Sequence, residues 1–377
     1  MKLKVMTIVG TRPELIKLSR VIAELDRHVQ QILVHTGQNF DYELNDVFFE
    51  QLDIRRPDFS LKTAGDSPAK TIAAVISGVD DVLQKERPDA VLLYGDTNSC
   101  LAVIPAKRRQ IPVFHMEAGN RCFDERVPEE INRRLVDHLS DINMPLTEHA
   151  RRYLLAEGLP ADRVIKTGST MREVLEHYRP KIEASRVLAE LGLESRRYIV
   201  VSAHREENVD DSSRLLTLLD TLEGVAAEFR LPVVVSTHPR TRKRLEQTGK
   251  STGGEHVRFL KPFGFIDYSR LQQDAHCVLS DSGTLTEEAA LLGFPAVMLR
   301  EAHERPEGMD QGIAVMAGLS RARVLEALRM VVAQQPEDRG ALGVVADYED
   351  SLVSKKVVRI IISYIDYVNR RVWQKTL

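Results

Sequence analysis

Apolar positions along the chain alternate between two patterns. Lys4-Val5-Met6-Thr7-Ile8-Val9 is β-rich and apolar, and behind it Leu15, Ile16, Leu18, Val21, Ile22 and Leu25 recur at the spacing of one helical face. A strand, a loop and a helix are predicted there. Further strands are predicted at Ile32-Leu33-Val34, Ala90-Val91-Leu92-Leu93-Tyr94 and Pro112-Val113-Phe114-His115, separated by helical stretches such as 68–85 and 98–109. A second series opens at Tyr198-Ile199-Val200-Val201-Ser202. It continues through Leu231-Pro232-Val233-Val234-Val235-Ser236, Val278-Leu279-Ser280 and Pro295-Ala296-Val297-Met298-Leu299. Alternation of this kind predicts two α/β halves, each a parallel sheet covered by helices on both faces. A hinge is expected near 168–195. The last helix, about 350–376, carries Val357, Val358, Ile360, Ile361, Ile362, Tyr364 and Ile365.

The length agrees with this division, because 377 residues exceed what one hydrophobic core usually serves. With 43% hydrophobic and 28% charged residues, the chain reads as a soluble globular protein. No apolar run approaches the ~18 residues of a membrane span, so no membrane partner is expected. A net charge of -3 argues against a nucleic-acid surface, and an anionic ligand must be met by a few placed cations. Cys100, Cys122 and Cys277 are odd in number and far apart, which suggests neither a disulfide framework nor a zinc site. Met1-Lys2-Leu3-Lys4-Val5 shows no apolar leader. A reducing cytoplasm is the expected compartment.

In open parallel sheets, ligands bind beyond the carboxyl ends of the strands. Gly10-Thr11-Arg12-Pro13-Glu14 follows the first strand, with Lys17 one turn into the helix. The GxGxxG of a dinucleotide site is absent there, and a helix start with Arg12 and Lys17 suits a pyrophosphate instead. Gly95-Asp96-Thr97 and His115-Met116-Glu117-Ala118-Gly119 follow two more strands, and Pro128-Glu129-Glu130-Ile131-Asn132-Arg133 opens a helix. Singly, these acids read as caps or favourable helix-start charges. Converging in one crevice, they would crowd, raise some pKa values and form an acid–base set. The second half offers Ser202-Ala203-His204-Arg205-Glu206-Glu207-Asn208, then Ser236-Thr237-His238-Pro239-Arg240, then Ser280-Asp281-Ser282-Gly283-Thr284 ahead of Glu288. The Ser282-Gly283-Thr284 turn can hold phosphate oxygens, and Glu288 can accept ribose hydroxyls.

In this order, and with Glu304-Arg305-Pro306-Glu307, these segments resemble the non-hydrolysing UDP-N-acetylglucosamine 2-epimerase family over nearly the whole chain. The resemblance implies two Rossmann-like domains in a glycosyltransferase-B-type arrangement, with the active site in the interdomain cleft. An N-terminal domain over 1–170, completed by the C-terminal helix 350–377, would carry the carboxylates, and 171–349 would bind UDP. It also implies a UDP-2-acetamido sugar as substrate, no cofactor, no metal and a homodimer. Stretches 35–45, 97–105, 120–124, 203–208 and 300–308 look more like the branch converting UDP-2-acetamido-2,6-dideoxy-L-talose to UDP-N-acetyl-L-fucosamine. Two positions depart from the N-acetylglucosamine enzymes. Their Ser-Gly-Gly turn reads Ser282-Gly283-Thr284, and the Gln-His pair of a regulatory site reads Gln38-Asn39.

By resemblance, Asp96, Glu117 and Glu129 handle protons at C2 while Arg12, Lys17, His204, Ser282 and Gly283 stabilise the departing diphosphate. Arg133 orients a carboxylate, His238 and Thr284 bind phosphate, Glu288 holds the ribose and Tyr268 stacks on uracil. Three alternatives stay open on sequence: a UDP-N-acetylglucosamine to UDP-N-acetylmannosamine epimerase, a metal-free UDP-sugar glycosyltransferase, and a non-catalytic UDP-sugar sensor.

Overall fold

The structure, a computed structural model, describes residues 2–37, 48–247, 256–334 and 343–376, without the side chains of residues 206, 207, 239, 240 and 247. The Gln38-Asn39 pair, with the rest of the branch-like stretch from 38 to 45, lies outside the described residues. The chain divides into two compact units, Met1–His177 with Ala346–Leu377, and Tyr178–Val345.

The first unit is built on β1 (Lys4–Val9), β2 (Gln30–His35), β3 (Phe59–Ser60), β4 (Ala90–Tyr94), β5 (Val113–Met116) and β6 (Ile142–Met144), in the order β3-β2-β1-β4-β5-β6. The second is built on β7 (Ile199–Ser202), β8 (Val233–Ser236), β9 (Val257–Leu260), β10 (Cys277–Ser280), β11 (Ala296–Met298) and β12 (Val315–Met316), in the order β12-β11-β10-β7-β8-β9. All these pairings are parallel. Counted from its own first strand, each sheet has the doubly wound Rossmann order, which reverses direction between its first and fourth strands. Those reversals lie between β1 and β4 and between β7 and β10.

Both sheet faces are covered, so the central strands are buried along almost their whole length and show no in-and-out alternation. On one face of the first sheet, Met6, Ile8, Val91 and Leu93 pack with Val75, Val79 and Leu83 of the helix Pro68–Glu86. In the second unit, Val201, Val235 and Leu279 pack with Leu218, Leu222 and Val225 of Ser212–Phe229. The helix Val353–Arg371 packs on Arg12–His28, which returns the end of the chain to the first unit. Among the described residues, no helix is long and apolar enough to cross a membrane.

Three expectations change. The helix predicted over 98–109 is a 3₁₀ turn, Asn98–Ala102, followed by an α-helix, Val103–Arg108. Pro105 has no N–H to give the Leu101 carbonyl, and the turn before it tightens. The last helix begins at Val353 because Asp350 Oδ1 accepts the Leu352 N–H in a turn ahead of it, and Ile362 points outward at 46% exposure. The strands not predicted, β3, β6, β9 and β12, are the edges of the two sheets.

Candidate active-site residues

In the first unit the predicted residues gather at the strand reversal and at the next strand, β5. Lys17 is 3% exposed, and its Nζ donates to Glu117 Oε2 at 2.6 Å. The Tyr94 hydroxyl donates to the same oxygen at 2.8 Å. A buried ammonium needs an anion nearby, so Lys17, expected at the diphosphate, is engaged by Glu117 in this structure. Glu117 has φ 59°, a left-handed conformation that costs a non-glycine residue ~1–3 kcal/mol and is found where surrounding structure enforces it.

Asp96 stands one strand away. Its Oδ2 accepts Arg133 Nη2 at 2.7 Å and Nε at 3.1 Å, and Asn132 Nδ2 donates to its backbone carbonyl at 3.0 Å. Arg133 comes from the helix Pro128–Leu139, whose first turn carries Glu129 and Glu130. Glu129 is half-buried, while Glu130 is fully buried and accepts the Cys122 N–H and Arg133 Nη1, each at 3.0 Å. Burial pushes the Glu130 pKa up, but the Cys122 N–H and the Arg133 charge outweigh it and hold it below its usual value. Arg133 therefore bridges Asp96 to a structural anion. The half-buried Arg12 sets its guanidinium 5.5 Å from the centre of the Phe48 ring.

The carboxylate at this sheet end with a raised pKa is Glu14, which was not among the acids expected to crowd. It is pushed up to about 7, chiefly by burial, against the hydrogen bonds from Thr97, Gly10 and Thr11 and with a smaller contribution from Asp96. Its Oε1 accepts the Thr97 hydroxyl at 2.5 Å, and its Oε2 accepts the Gly10 and Thr11 N–H groups at 2.5 and 2.9 Å. Glu14 thus ties the loop after β1 to the loop after β4. Because its pKa is raised on folding, its contribution to stability is complete below about pH 4.5 and is lost as the pH rises through about 7. At ~1.4 kcal/mol per unit, the loss is about 3 kcal/mol. Glu14→Gln is neutral throughout, so its stability relative to the parent should rise by that order between pH 4.5 and 8 in urea denaturation. Parallel pH profiles for the two proteins would remove Glu14 as the cause.

In the second unit the reversal joins the loops after β7 and β10 through Asp281, which is fully buried. Its carboxylate accepts the His204 and Arg205 N–H groups and Asn208 Nδ2, with the nearest contact to each at 3.0 Å. His204 keeps 44% of its side chain exposed, and its ring centre lies 6.4 Å from that of His238 at the end of β8. Ser282, Gly283 and Thr284 lead into the helix Leu285–Leu292, with the two hydroxyls 3.0 Å apart. A Cβ on Gly283 would stand 2.2 Å from Glu304 Oε1, an oxygen held by Arg205 Nη2 at 3.2 Å. The other Glu304 oxygen accepts Arg300 Nη1 at 2.8 Å.

Tyr268 and Glu288 form a second group in this unit. The half-buried Tyr268 is hydrogen-bonded to the Ser202 side chain; burial first, then the nearby Glu288 charge, push its pKa well up. Glu288 Oε2 accepts Gln272 Nε2 at 2.6 Å.

The structure therefore brings Lys17, Asp96, Glu117 and Arg133 together in one unit, with Arg12 and Glu129 on elements beside them. In the other it brings together His204, His238 and the 282–284 turn. Sequence reasoning assigned no role to Tyr94, Glu14, Asp281 or Glu304. Asp281 lay within a quoted motif, and its position directly after a strand was the available signal.

A sequence model of the family described as UDP-N-acetylglucosamine 2-epimerase matches residues 23–362. The chain is similar to a UDP-2,3-diacetamido-2,3-dideoxy-D-glucuronate 2-epimerase of Pseudomonas aeruginosa, at 36% identity over 90% of this chain and 95% of that one. Among solved structures it is similar to a UDP-N-acetylglucosamine 2-epimerase from Rickettsia bellii, at 54% identity, TM-score 0.92 and full coverage of both chains. It is also similar to the Methanocaldococcus jannaschii UDP-GlcNAc 2-epimerase in complex with UDP-GlcNAc and UDP. That match has 30% identity, TM-score 0.89, and coverage of 96% and 100% of the two chains. The chain therefore belongs to the non-hydrolysing UDP-N-acetylglucosamine 2-epimerase family, and it is an isomerase of the UDP-sugar 2-epimerase class.

Proposed function

We propose that the protein inverts C2 of a UDP-2-acetamido sugar by eliminating UDP to a 2-acetamidoglycal and adding it back. The observation that carries this reading is the pair of anchored carboxylates at neighbouring strand ends, Asp96 on Arg133 and Glu117 on Lys17 and Tyr94.

The C2 hydrogen has no adjacent carbonyl, so its removal needs help from C1. As the C1–O bond breaks, its electron pair leaves with the diphosphate and positive charge develops at C1. The C2 proton passes to a carboxylate, and the C–H electrons form the C1=C2 bond. In the return step a phosphate oxygen adds to C1 while a second acid protonates C2 from the other face, so the product is an isomer of the substrate. We assign these proton transfers to Asp96, Glu117 and Glu129. General acid–base catalysis supplies roughly 10²–10⁴-fold. The remainder falls to charge stabilisation on the leaving diphosphate, which we assign to Arg12, His204, Ser282 and Gly283, with His238 and Thr284 binding phosphate. Lys17, engaged by Glu117 in this structure, is assigned to holding that carboxylate. Glu288 is assigned to the ribose and Tyr268 to the uracil.

For the sugar we propose UDP-2-acetamido-2,6-dideoxy-L-talose, giving UDP-N-acetyl-L-fucosamine. Support comes from stretches 97–105, 120–124, 203–208 and 300–308, which look like that branch. Initial rates with this compound, UDP-N-acetylglucosamine and UDP-2,3-diacetamido-2,3-dideoxy-D-glucuronate separate the possibilities. The talose compound should lead in kcat/KM by ~10-fold or more, the scale set by one misplaced substituent in a pocket. Preference for either of the others would overturn the branch and leave the chemistry standing.

A further inference from the structure

Beneath the carboxylates of the first unit lies a buried ionic cluster that the proposed chemistry does not use. His115, at the end of β5, is fully buried, with Nε2 2.7 Å from the Gly95 carbonyl oxygen and Nδ1 2.9 Å from Asp137 Oδ1. Asp137, on the helix Pro128–Leu139, is also fully buried. Its two oxygens accept the Gly119 N–H at 3.2 and 3.1 Å, and Oδ2 accepts Arg121 Nη1 at 2.7 Å. Arg121 in turn donates to Glu157 from Nε at 2.7 Å and Nη2 at 2.6 Å.

We infer that His115 and Asp137 are positioning residues, a buried imidazolium–carboxylate pair that fixes the backbone on both sides of Glu117 and directly before Asp96. A carbonyl and a carboxylate oxygen can only accept hydrogen bonds, so an imidazole with one near each nitrogen is favoured in its doubly protonated form. Burial alone would lower the His115 pKa, but Asp137, the Gly95 carbonyl and Asp96 more than offset this and raise it. His115 and Arg121 then face Asp137 and Glu157, and the half-exposed His138 also reaches Glu157 Oε2 at 3.1 Å.

The connectivity gives the pair its consequence. Gly95 precedes Asp96, and its carbonyl is held by His115. His115 and Gly119 flank Glu117 two residues away on either side, and both are held by Asp137. One buried pair therefore sets the two carboxylate-bearing loops relative to each other and holds Glu117 in its left-handed conformation. Burying charges without a compensating function is costly, and a uniquely fixed geometry is such a function. Misplacing a reacting group by ~1 Å can lower turnover ~10²-fold.

The inference rests on the epimerase reading, and its test keeps the two apart. In protein labelled with ¹⁵N-histidine, His115 should keep both ring nitrogens protonated to a higher pH than an exposed histidine does; a ring that loses a proton at or below the pH where an exposed histidine does would overturn the pair outright. Asp137→Asn should return the ring to one proton and lower kcat by about 10²-fold, with KM and UDP affinity within about twofold. Unchanged kcat, or an equal loss of UDP affinity, would also overturn the positioning role. If Asp137→Asn does not fold, His115→Gln, which can still donate to Gly95, should give the same kcat-specific loss, and its absence has the same meaning. C2 exchange by the unsubstituted protein is followed alongside. Its absence would overturn the epimerase reading while leaving the ¹⁵N result untouched.

Discussion

Glu117→Gln should retain UDP and lose turnover. Glutamine keeps the shape of the side chain and can still accept from Lys17 and Tyr94, but it cannot take up or return a proton at C2. The expected fall in kcat is ~10²-fold or more, the lower end of what a positioned acid or base supplies. UDP affinity should stay within about twofold. The substitution also leaves Lys17 as a buried cation without its carboxylate, so a lower Tm is expected beside the lost activity. Calorimetric titration with UDP, together with steady-state rates on folded protein, separates the two effects. A loss of UDP affinity matching the loss of kcat would move Glu117 from proton transfer to binding. Asp96→Asn is expected to behave in the same way, since the Arg133 bonds can be kept by the amide oxygen.

Gly119→Ala should unfold far more easily than the parent protein. Gly119 has φ 83°, and an added Cβ would lie 2.4 Å from the Ala150 carbonyl oxygen and 2.8 Å from Leu154 Cγ. Ala150 and Leu154 belong to the helix Glu148–Ala156, so its backbone cannot yield locally. A left-handed non-glycine residue costs ~1–2 kcal/mol and overpacking ~1–3 kcal/mol more, which gives a loss of about 3 kcal/mol. Because the Gly119 N–H is anchored on Asp137, any relaxation also displaces Glu117. Guanidinium unfolding should show the lower midpoint, and the surviving folded protein should have reduced kcat. A cost below ~1 kcal/mol would mean that the strand-end loop is not held as tightly as these distances imply.

The parts of this molecule that were legible in its sequence, and those that were not, follow from burial. Central strands such as Lys4–Val9 and Ala90–Tyr94 are covered on both faces and read as continuous apolar runs. The four edge strands each pair with one other strand, Ile142–Met144 meeting only an isolated bridge at Val164 beyond it, and they carry no such run: Asn143 interrupts Ile142–Met144, Arg258 interrupts Val257–Leu260, and the other two are two residues long. For the site, looking immediately after each strand led to Asp96, Glu117, His204 and Ser282. The same signal was silent for Tyr94, because a strand buried on both faces does not reveal which side chain reaches the carboxylate. Nor could it separate Glu129 from Glu130, adjacent in sequence, of which only Glu130 is fully buried against Arg133. His115 and Asp137 lie twenty-two positions apart in sequence, and only the packing of the helix Pro128–Leu139 beside β5 makes them a pair.

A proton NMR time course in D₂O with UDP-2-acetamido-2,6-dideoxy-L-talose, run beside UDP-N-acetylglucosamine, tests the proposed chemistry most directly. Deuterium entering C2 of the inverted product, and no other carbon, is the expected result. Binding of UDP without any exchange at C2 of either sugar would contradict proton transfer by these carboxylates.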